Sequence, residues 1–205
     1  MADSRWWTDF DAAVAAALPA DSRVLDVGCG DGGLVSRLGE LGFDALGVDP
    51  AAPFHPRLIR EPVEHVRGIG AFDAVIAVMA LHHAQLDAIT SALTRLLHPH
   101  GRLFVYDFDW HAYDDHAAGW LAEHDSPDTD NSVAGWQREH GDLHTGATIK
   151  EALDVRFKPL LEARRPYLAR MLARHDLEAM EHALIDAQML PALGFWMISE
   201  RIPPE

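Results

Sequence analysis

One cysteine, Cys29, is all that the 205 residues contain, so an internal disulfide is excluded and a reducing, cytoplasmic setting is expected. Basic residues are scarce too. The 17 Lys and Arg against 32 Asp and Glu leave a formal charge of -15, a field that repels nucleic acid and anionic membranes. No Lys/Arg cluster offsets it, and no apolar run approaches the ~18 residues of a membrane span. The stretch AVAAALPA has the small residues of a secretory leader, but Asp3, Asp9 and Asp11 precede it and Arg5 is the only cation there. Neither H-E-x-x-H nor C-x-x-C occurs, so no metal site is expected. Repeats and low-complexity tracts are lacking. With 48% hydrophobic and 24% charged residues the chain reads as one globular domain, residues 1–205, whose partner is a small molecule. Nothing in the sequence sets its oligomeric state.

What is present begins with VLDVGCGDGGL, residues 24 to 34. An apolar run reaches Asp26, and Gly28, Gly30 and Gly33 follow in the G-x-G-x-x-G spacing of a strand turning sharply into a helix. Glycine there accommodates positive φ in the turn and lets a ligand approach the backbone. Cys29 sits inside this loop with no basic partner nearby in sequence, and reads as a small packing residue.

Residues 4–18 have helical spacing and stop at Pro19, giving an N-terminal cap helix within residues 1–20 that carries Trp6 and Trp7. RVLDVG then reads as a first strand, GGLVSRLGELG as a helix closed by Gly42, and FDALGVD as a second strand ending at Asp49. RLIRE is a short third strand, FDAVIAVMA a fourth, LDAITSALTRLLH an amphipathic helix and GRLFVYDFD a fifth strand. Between these last two, LHPHG puts His100 where glycine is common, and a type I turn with Pro99 second avoids positive φ there. The alternation predicts an α/β fold: a Rossmann-like, doubly wound, mostly parallel sheet of about seven strands with helices on both faces.

From Asp107 to Lys150 ten acids face only Arg138 and Lys150, and the segment holds Trp110, Trp120 and Trp136 with five histidines. It reads as a lid inserted after the fifth strand over residues 107–145. Beyond it, TIKE resembles a helix-starting capping box, LEAMEHALIDAQML a further helix and GFWMISERI a last strand.

In open parallel sheets ligands lie beyond the carboxyl ends of the strands. That crevice gathers the glycine loop, Asp49, Glu61, Met79 to His83 and Asp107. A carboxylate at Asp49 suits ribose hydroxyls under either of two cofactors. Asp26 separates them: it opposes a pyrophosphate but suits S-adenosylmethionine, which has an ammonium and a sulfonium and no phosphate.

VLDVGCGDGGLVSRLGELGFDALGVDP followed by FDAVIAVMALHHAQLDAITSALTRLLHPHGRLFVYDF resembles the class I S-adenosylmethionine-dependent methyltransferases, in particular their small-molecule group. The resemblance covers roughly residues 22 to 109. It implies that Asp26, Gly28, Cys29 and Gly30 line the methionine end of S-adenosyl-L-methionine (product S-adenosyl-L-homocysteine), and that Asp49 with Pro50 holds the ribose. It also places the Met79 backbone near the amino group and Glu61 at the adenine amine. Pro62 lacks the N–H usual at the next position, so either Val63 supplies it or the register is shifted to Glu64.

His83, with His82 beside it, is the candidate general base for methyl transfer to an O or N acceptor. Trp6, Trp7, Trp110, His111, Tyr113, Trp136, His140 and His144 are candidate acceptor walls, and Arg165 with Tyr167 is suited to an acidic acceptor. Arg164, Arg165 and Arg170 are the only local basic concentration. Two other readings stay open on the residues: an S-adenosylmethionine binder that no longer transfers methyl, and an NAD-linked oxidoreductase.

Overall fold

The computed structural model describes residues 5–203. A seven-stranded sheet has the order β3-β2-β1-β4-β5-β7-β6, from β1 (Arg23–Val27), β2 (Asp44–Val48), β3 (Leu58–Ile59), β4 (Phe72–Val78), β5 (Leu97–Phe108), β6 (Phe157–Arg165) and β7 (Gly194–Arg201). The first five pair in parallel, and β7 runs antiparallel between β5 and β6. This is the Rossmann-like sheet that the alternation predicts.

Strand side chains alternate between faces, and each face finds its own helices. Leu25, Val75, Leu103 and Val105 pack with Ile89 and Leu93 of α3 (Leu86–Leu96) and with Ile149 and Leu153 of α6 (Gly146–Asp154). Val24, Ile76, Phe104 and Tyr106 pack on the other face with α1 (Arg5–Ala17) and α2 (Gly33–Glu40). The start of the cap-helix expectation, residues 1–4, lies outside the described residues.

A third cluster lies beyond the carboxyl end of β5. It joins α4 (Asp115–His124) and α5 (Val133–His140) to α7 (Leu168–Met171) and the stretch around α8 (Glu178–Asp186), through Tyr113, Trp120, Trp136, Leu168 and Leu193. Residues after β5 thus carry a core of their own.

Four expectations need correction. Asp107 and Phe108 are the last residues of β5, so the sheet framework reaches two residues into the segment read as a lid. Strand β6 falls where no strand is expected; it is an edge strand with an exposed middle, so it lacks the apolar alternation that marks a buried strand. The cap of helix α6 lies three residues before TIKE: it is Thr145, whose Oγ1 accepts from the Thr148 N–H at 3.2 Å. His100 does take positive φ, +62°, because α3 runs straight into β5 with a register shift, and His100 is held there by its ring contact with Glu200 at 2.9 Å.

Candidate functional site

The glycine loop is built by close approach. Gly28 has φ +77°, and a Cβ on it would lie 2.6 Å from the Cβ of Ala80, so only glycine lets β1 and β4 come together at this end. The Gly28 and Cys29 amides both donate to the Val48 carbonyl at 2.9 and 3.3 Å, which ties the loop to β2. Cys29 packs against Gly47, where a Cβ would meet its Sγ at 2.7 Å. Burial, with Asp26 and then Asp49 adding, pushes its thiol up to about 12, so it is a packing group and not a nucleophile.

Asp26 is buried and its Oδ2 has no hydrogen-bond partner among the described residues. Burial first, and the charge of Asp49 second, push this carboxyl up to about 7. Asp49 accepts from Gly30 N through Oδ2 at 3.2 Å and from Ala51 N through Oδ1 at 2.7 Å, so each oxygen retains a lone pair for a hydroxyl donor. An orphaned buried carboxylate oxygen beside a second acidic group fits a cationic head with a ribose attached. The residues present therefore suit S-adenosylmethionine: Asp26 for the ammonium end, Asp49 for the ribose.

Met79 follows the last residue of β4 at φ +55°, a strained setting for a residue with a side chain, and its N–H donates to the Tyr106 carbonyl at 2.7 Å. Pro50 and Glu61 are exposed. The Val63 side chain is buried in the α3-side core, while its N–H has no partner among the described residues.

The histidine pair separates cleanly. His82 is buried and His83 exposed, the reverse of the preference for His83 as the inward member. Asp107 causes this. It continues the Leu103–Val105 face of β5 and is fully buried; its Oδ2 accepts from the Leu81 and His82 amides at 2.9 and 3.3 Å, and its Oδ1 contacts His82 Nδ1 at 2.7 Å and accepts from Phe108 N at 2.9 Å. A carboxylate at Nδ1 fixes the tautomer that leaves Nε2 as the basic nitrogen. Sequence reading missed this partner; its signal is an acid at the end of the strand beside the one that carries LHH. His83 has its pKa lowered by desolvation, then by His82.

The proposed acceptor residues divide into two groups. Trp136 is buried between Tyr113 (4.2 Å between ring centroids) and His140 (3.9 Å), and its Nε1 donates to the Trp110 carbonyl at 3.0 Å. Trp110 Nε1 donates in turn to Leu143 O, and Tyr113 Oη to Asn131 O. Trp110, Tyr113 and Trp136 thus spend their polar groups tying the inserted segment together, and Tyr113 and Trp136 lie inside it. His111 is exposed against Trp110. His144 links the segment to the site: its N–H donates to His82 O at 3.0 Å, and its Nε2 lies 2.9 Å from Ala84 O. Phe108 stacks on Tyr167 at 4.6 Å and meets His82 edge-on at 5.0 Å.

The second group lies on the α1 face. Trp6 contacts Tyr106 at 5.1 Å and lies under the Arg170 guanidinium at 4.1 Å. Trp7 lies under Arg37, and Arg165 lies over Trp196 at 4.4 Å. Among the described residues no group of three or more His, Cys, Asp or Glu side chains is arranged to hold a metal, and no helix is long and apolar enough to cross a membrane.

Comparison with known proteins gives a consistent family. A family profile described as "Methyltransferase domain" matches residues 4–156. An uncharacterized methyltransferase of Mycobacterium tuberculosis is 33% identical over 117 residues, 52% of this chain and 46% of the relative. The mitochondrial ubiquinone biosynthesis O-methyltransferase of Mus musculus is 32% identical over 104 residues, 40% of this chain and 28% of the relative. The chain spans less than half the length of these curated relatives. Among solved structures, an S-adenosylmethionine-dependent methyltransferase of Mesorhizobium loti superposes with a TM-score of 0.62 at 17% identity, covering 95% of this chain and 97% of the other. The N-methyltransferase NodS of Bradyrhizobium japonicum, in complex with S-adenosyl-L-homocysteine, gives 0.58 at 13% identity over 99% and 90%.

Proposed function

The chain belongs to the methyltransferase domain family, and from that premise we propose that it transfers methyl from S-adenosylmethionine to an oxygen or nitrogen of a small-molecule acceptor, with His82 as general base. The observation that carries this reading is the buried Asp107 carboxylate against His82 Nδ1 at 2.7 Å, at the carboxyl ends of β4 and β5. When bound, the cofactor supplies a methyl group on a positively charged sulfur, open to in-line displacement. The protein's part is then placement and proton removal.

Asp26 holds the cationic end and Asp49 the ribose, with the Val63 N–H and Glu61 as the candidate adenine contacts. Asp107 holds the imidazole in the Nδ1–H tautomer, so Nε2 takes the acceptor's proton. His83, first preferred for this role, is exposed and has no carboxylate at hydrogen-bond distance among the described residues. The segment 109–145 closes over the acceptor and excludes water, anchored to the His82 loop by His144. The name of the mouse relative, an O-methyltransferase, supports a hydroxyl acceptor.

Titration calorimetry with S-adenosylhomocysteine and with NAD tests the cofactor, and transfer of labelled methyl to a panel of phenols and amines tests the reaction. Binding of NAD without S-adenosylhomocysteine would overturn the reading, as would cofactor binding with no labelled product from any small acceptor.

A further inference from the structure

Strand β6 runs parallel to β5, because each pairs antiparallel with β7, so the chain leaves β6 at the same carboxyl end of the sheet as Asp107 and His82. There it folds back across β7. A Cβ on Gly194 would lie 2.8 Å from the Pro166 carbonyl and 3.1 Å from Tyr106 Oη, so glycine is what lets Tyr106 reach over and donate to Pro166 O at 2.8 Å. The next three amides, of Tyr167, Leu168 and Ala169, donate to the fully buried Glu181 carboxylate at 2.7 to 2.9 Å. These bonds fix the place of Tyr167.

Tyr167 is thereby laid flat on Phe108, 4.6 Å between ring centroids and 9° from parallel, and Phe108 meets His82 edge-on at 5.0 Å. One buried ring seats both side chains. Arg165, two residues before Tyr167, lies instead over Trp196 at 4.4 Å, so the pair expected to hold an acidic acceptor is divided. The three tyrosines of the chain differ in their hydroxyls. Tyr106 donates to Pro166 O and Tyr113 to Asn131 O. Tyr167 Oη has no hydrogen-bond partner among the described residues, and it is not one of the polar atoms sealed from solvent without one, so it opens on free space. The same holds for His82 Nε2. Burial first, then the charge of Asp107, hold the Tyr167 phenol above its ordinary value, so at neutral pH it is a neutral donor.

We propose that Tyr167 donates its phenol hydrogen to the same acceptor atom whose proton His82 takes, and so makes the site one for a hydroxyl and not an amine. The proposal rests on the methyl-transfer reading and narrows its oxygen or nitrogen acceptor to oxygen. A hydroxyl oxygen has two lone pairs. One accepts from Tyr167 while the other forms the bond to the methyl carbon; the pair of the broken S–C bond stays on sulfur, and the acceptor's proton goes to His82 Nε2. A neutral amine has a single lone pair, which must attack, and none is left for Tyr167. The phenol keeps its own proton throughout.

The test compares each phenol of the acceptor panel with the aniline of the same carbon skeleton, in wild type and in Tyr167→Phe, which keeps the ring on Phe108 and removes only Oη. The variant is expected to lower kcat for the phenols roughly ten-fold or more, the worth of one hydrogen bond made in the transition state, and kcat for the anilines by about two-fold at most. Unchanged affinity for S-adenosylhomocysteine shows that the variant is folded. A wild type that methylates only phenols, slowed by the substitution, also supports the proposal. An equal loss for phenols and anilines, no loss for phenols, or a wild type that methylates only anilines would each overturn it. Transfer to no acceptor would instead overturn the methyl-transfer reading. Titration of the protein loaded with S-adenosylhomocysteine then still decides the contact: phenols bound several-fold more weakly by Tyr167→Phe support it, and equal affinity or no binding overturns it.

Discussion

Asp26 and Asp49 close the mouth of the glycine loop from neighbouring strands, and the charge of Asp49 adds to burial in pushing the Asp26 carboxyl up to about 7. Two acids so placed weaken the empty protein and favour a cationic ligand. The site therefore carries a cost that binding relieves.

That cost has a definite pH window. Asp26 ionises near 3.8 when unfolded and near 7 when folded, so between these values the folded state holds a proton that the unfolded state has lost. Stability must then fall as pH rises from 4 to 7, by at most about 4 kcal/mol for this group. Asp26→Asn removes the effect: its melting temperature relative to wild type should climb across that window and exceed it above pH 7, while affinity for S-adenosylhomocysteine drops at least roughly ten-fold. Calorimetry at pH 6.5 in buffers of differing ionisation heat should show proton release on binding to wild type and none to the variant. A flat stability difference from pH 4 to 8 would refute the assignment.

Gly28 gives a sharper prediction. Alanine there must hold φ +77° with its Cβ 2.6 Å from that of Ala80, and neither neighbour is a flexible side-chain end. A loss of about 2–4 kcal/mol is expected with cofactor binding abolished. Gly30→Ala meets open space at φ +53°, so its cost should be nearer ~1 kcal/mol. Chemical denaturation of the two variants in parallel checks the ordering.

Much of this was legible in the sequence for local reasons. Strands β1, β2 and β4 are apolar runs, and glycines punctuate the loop after β1 and the end of α2, so period and punctuation agree. Strand β6 was not legible, because an edge strand is exposed and carries Pro159, Lys158 and Glu162 where a buried strand would be apolar. The Thr145 cap was overlooked because Thr148 and Glu151 offer a competing T-x-x-E three residues later. Asp107 is legible as a crevice residue at the end of the fifth strand, but not as the partner of His82. Its role depends on the register that sets Tyr106 opposite Val78, and tertiary pairing of that kind has no local signature.

His144 offers a way to test the cap without touching the base. Its ring Nε2 ties the inserted segment to the Ala84 carbonyl, while its backbone N–H bond to His82 O survives substitution, so His144→Ala should loosen the segment in part and leave the sheet alone. Hydrogen exchange should show α4 and α5 opening faster than β1, β4 and β5 in wild type, faster again in the variant, and slower with S-adenosylhomocysteine and acceptor bound. If α4 and α5 are as protected as the central strands with and without ligand, the segment is fixed packing and does not move.

The most demanding prediction separates His82 from His83. A base whose Nδ1 is clamped by a buried carboxylate has one nitrogen left, and its loss should lower kcat by roughly 10² to 10⁴ with little change in cofactor affinity. His82→Ala should show this, and the acid limb of its pH–rate profile should vanish. Asp107→Asn should be slower too, and less stable by about 1–3 kcal/mol, because an amide NH2 would face the Leu81 and His82 amides that Oδ2 now satisfies. His83→Ala should stay within a few-fold of wild type, since His83 is exposed and has no such clamp. If His83→Ala is the slower enzyme, the base belongs to the exposed histidine, and the Asp107 contact serves only to hold the loop after β4.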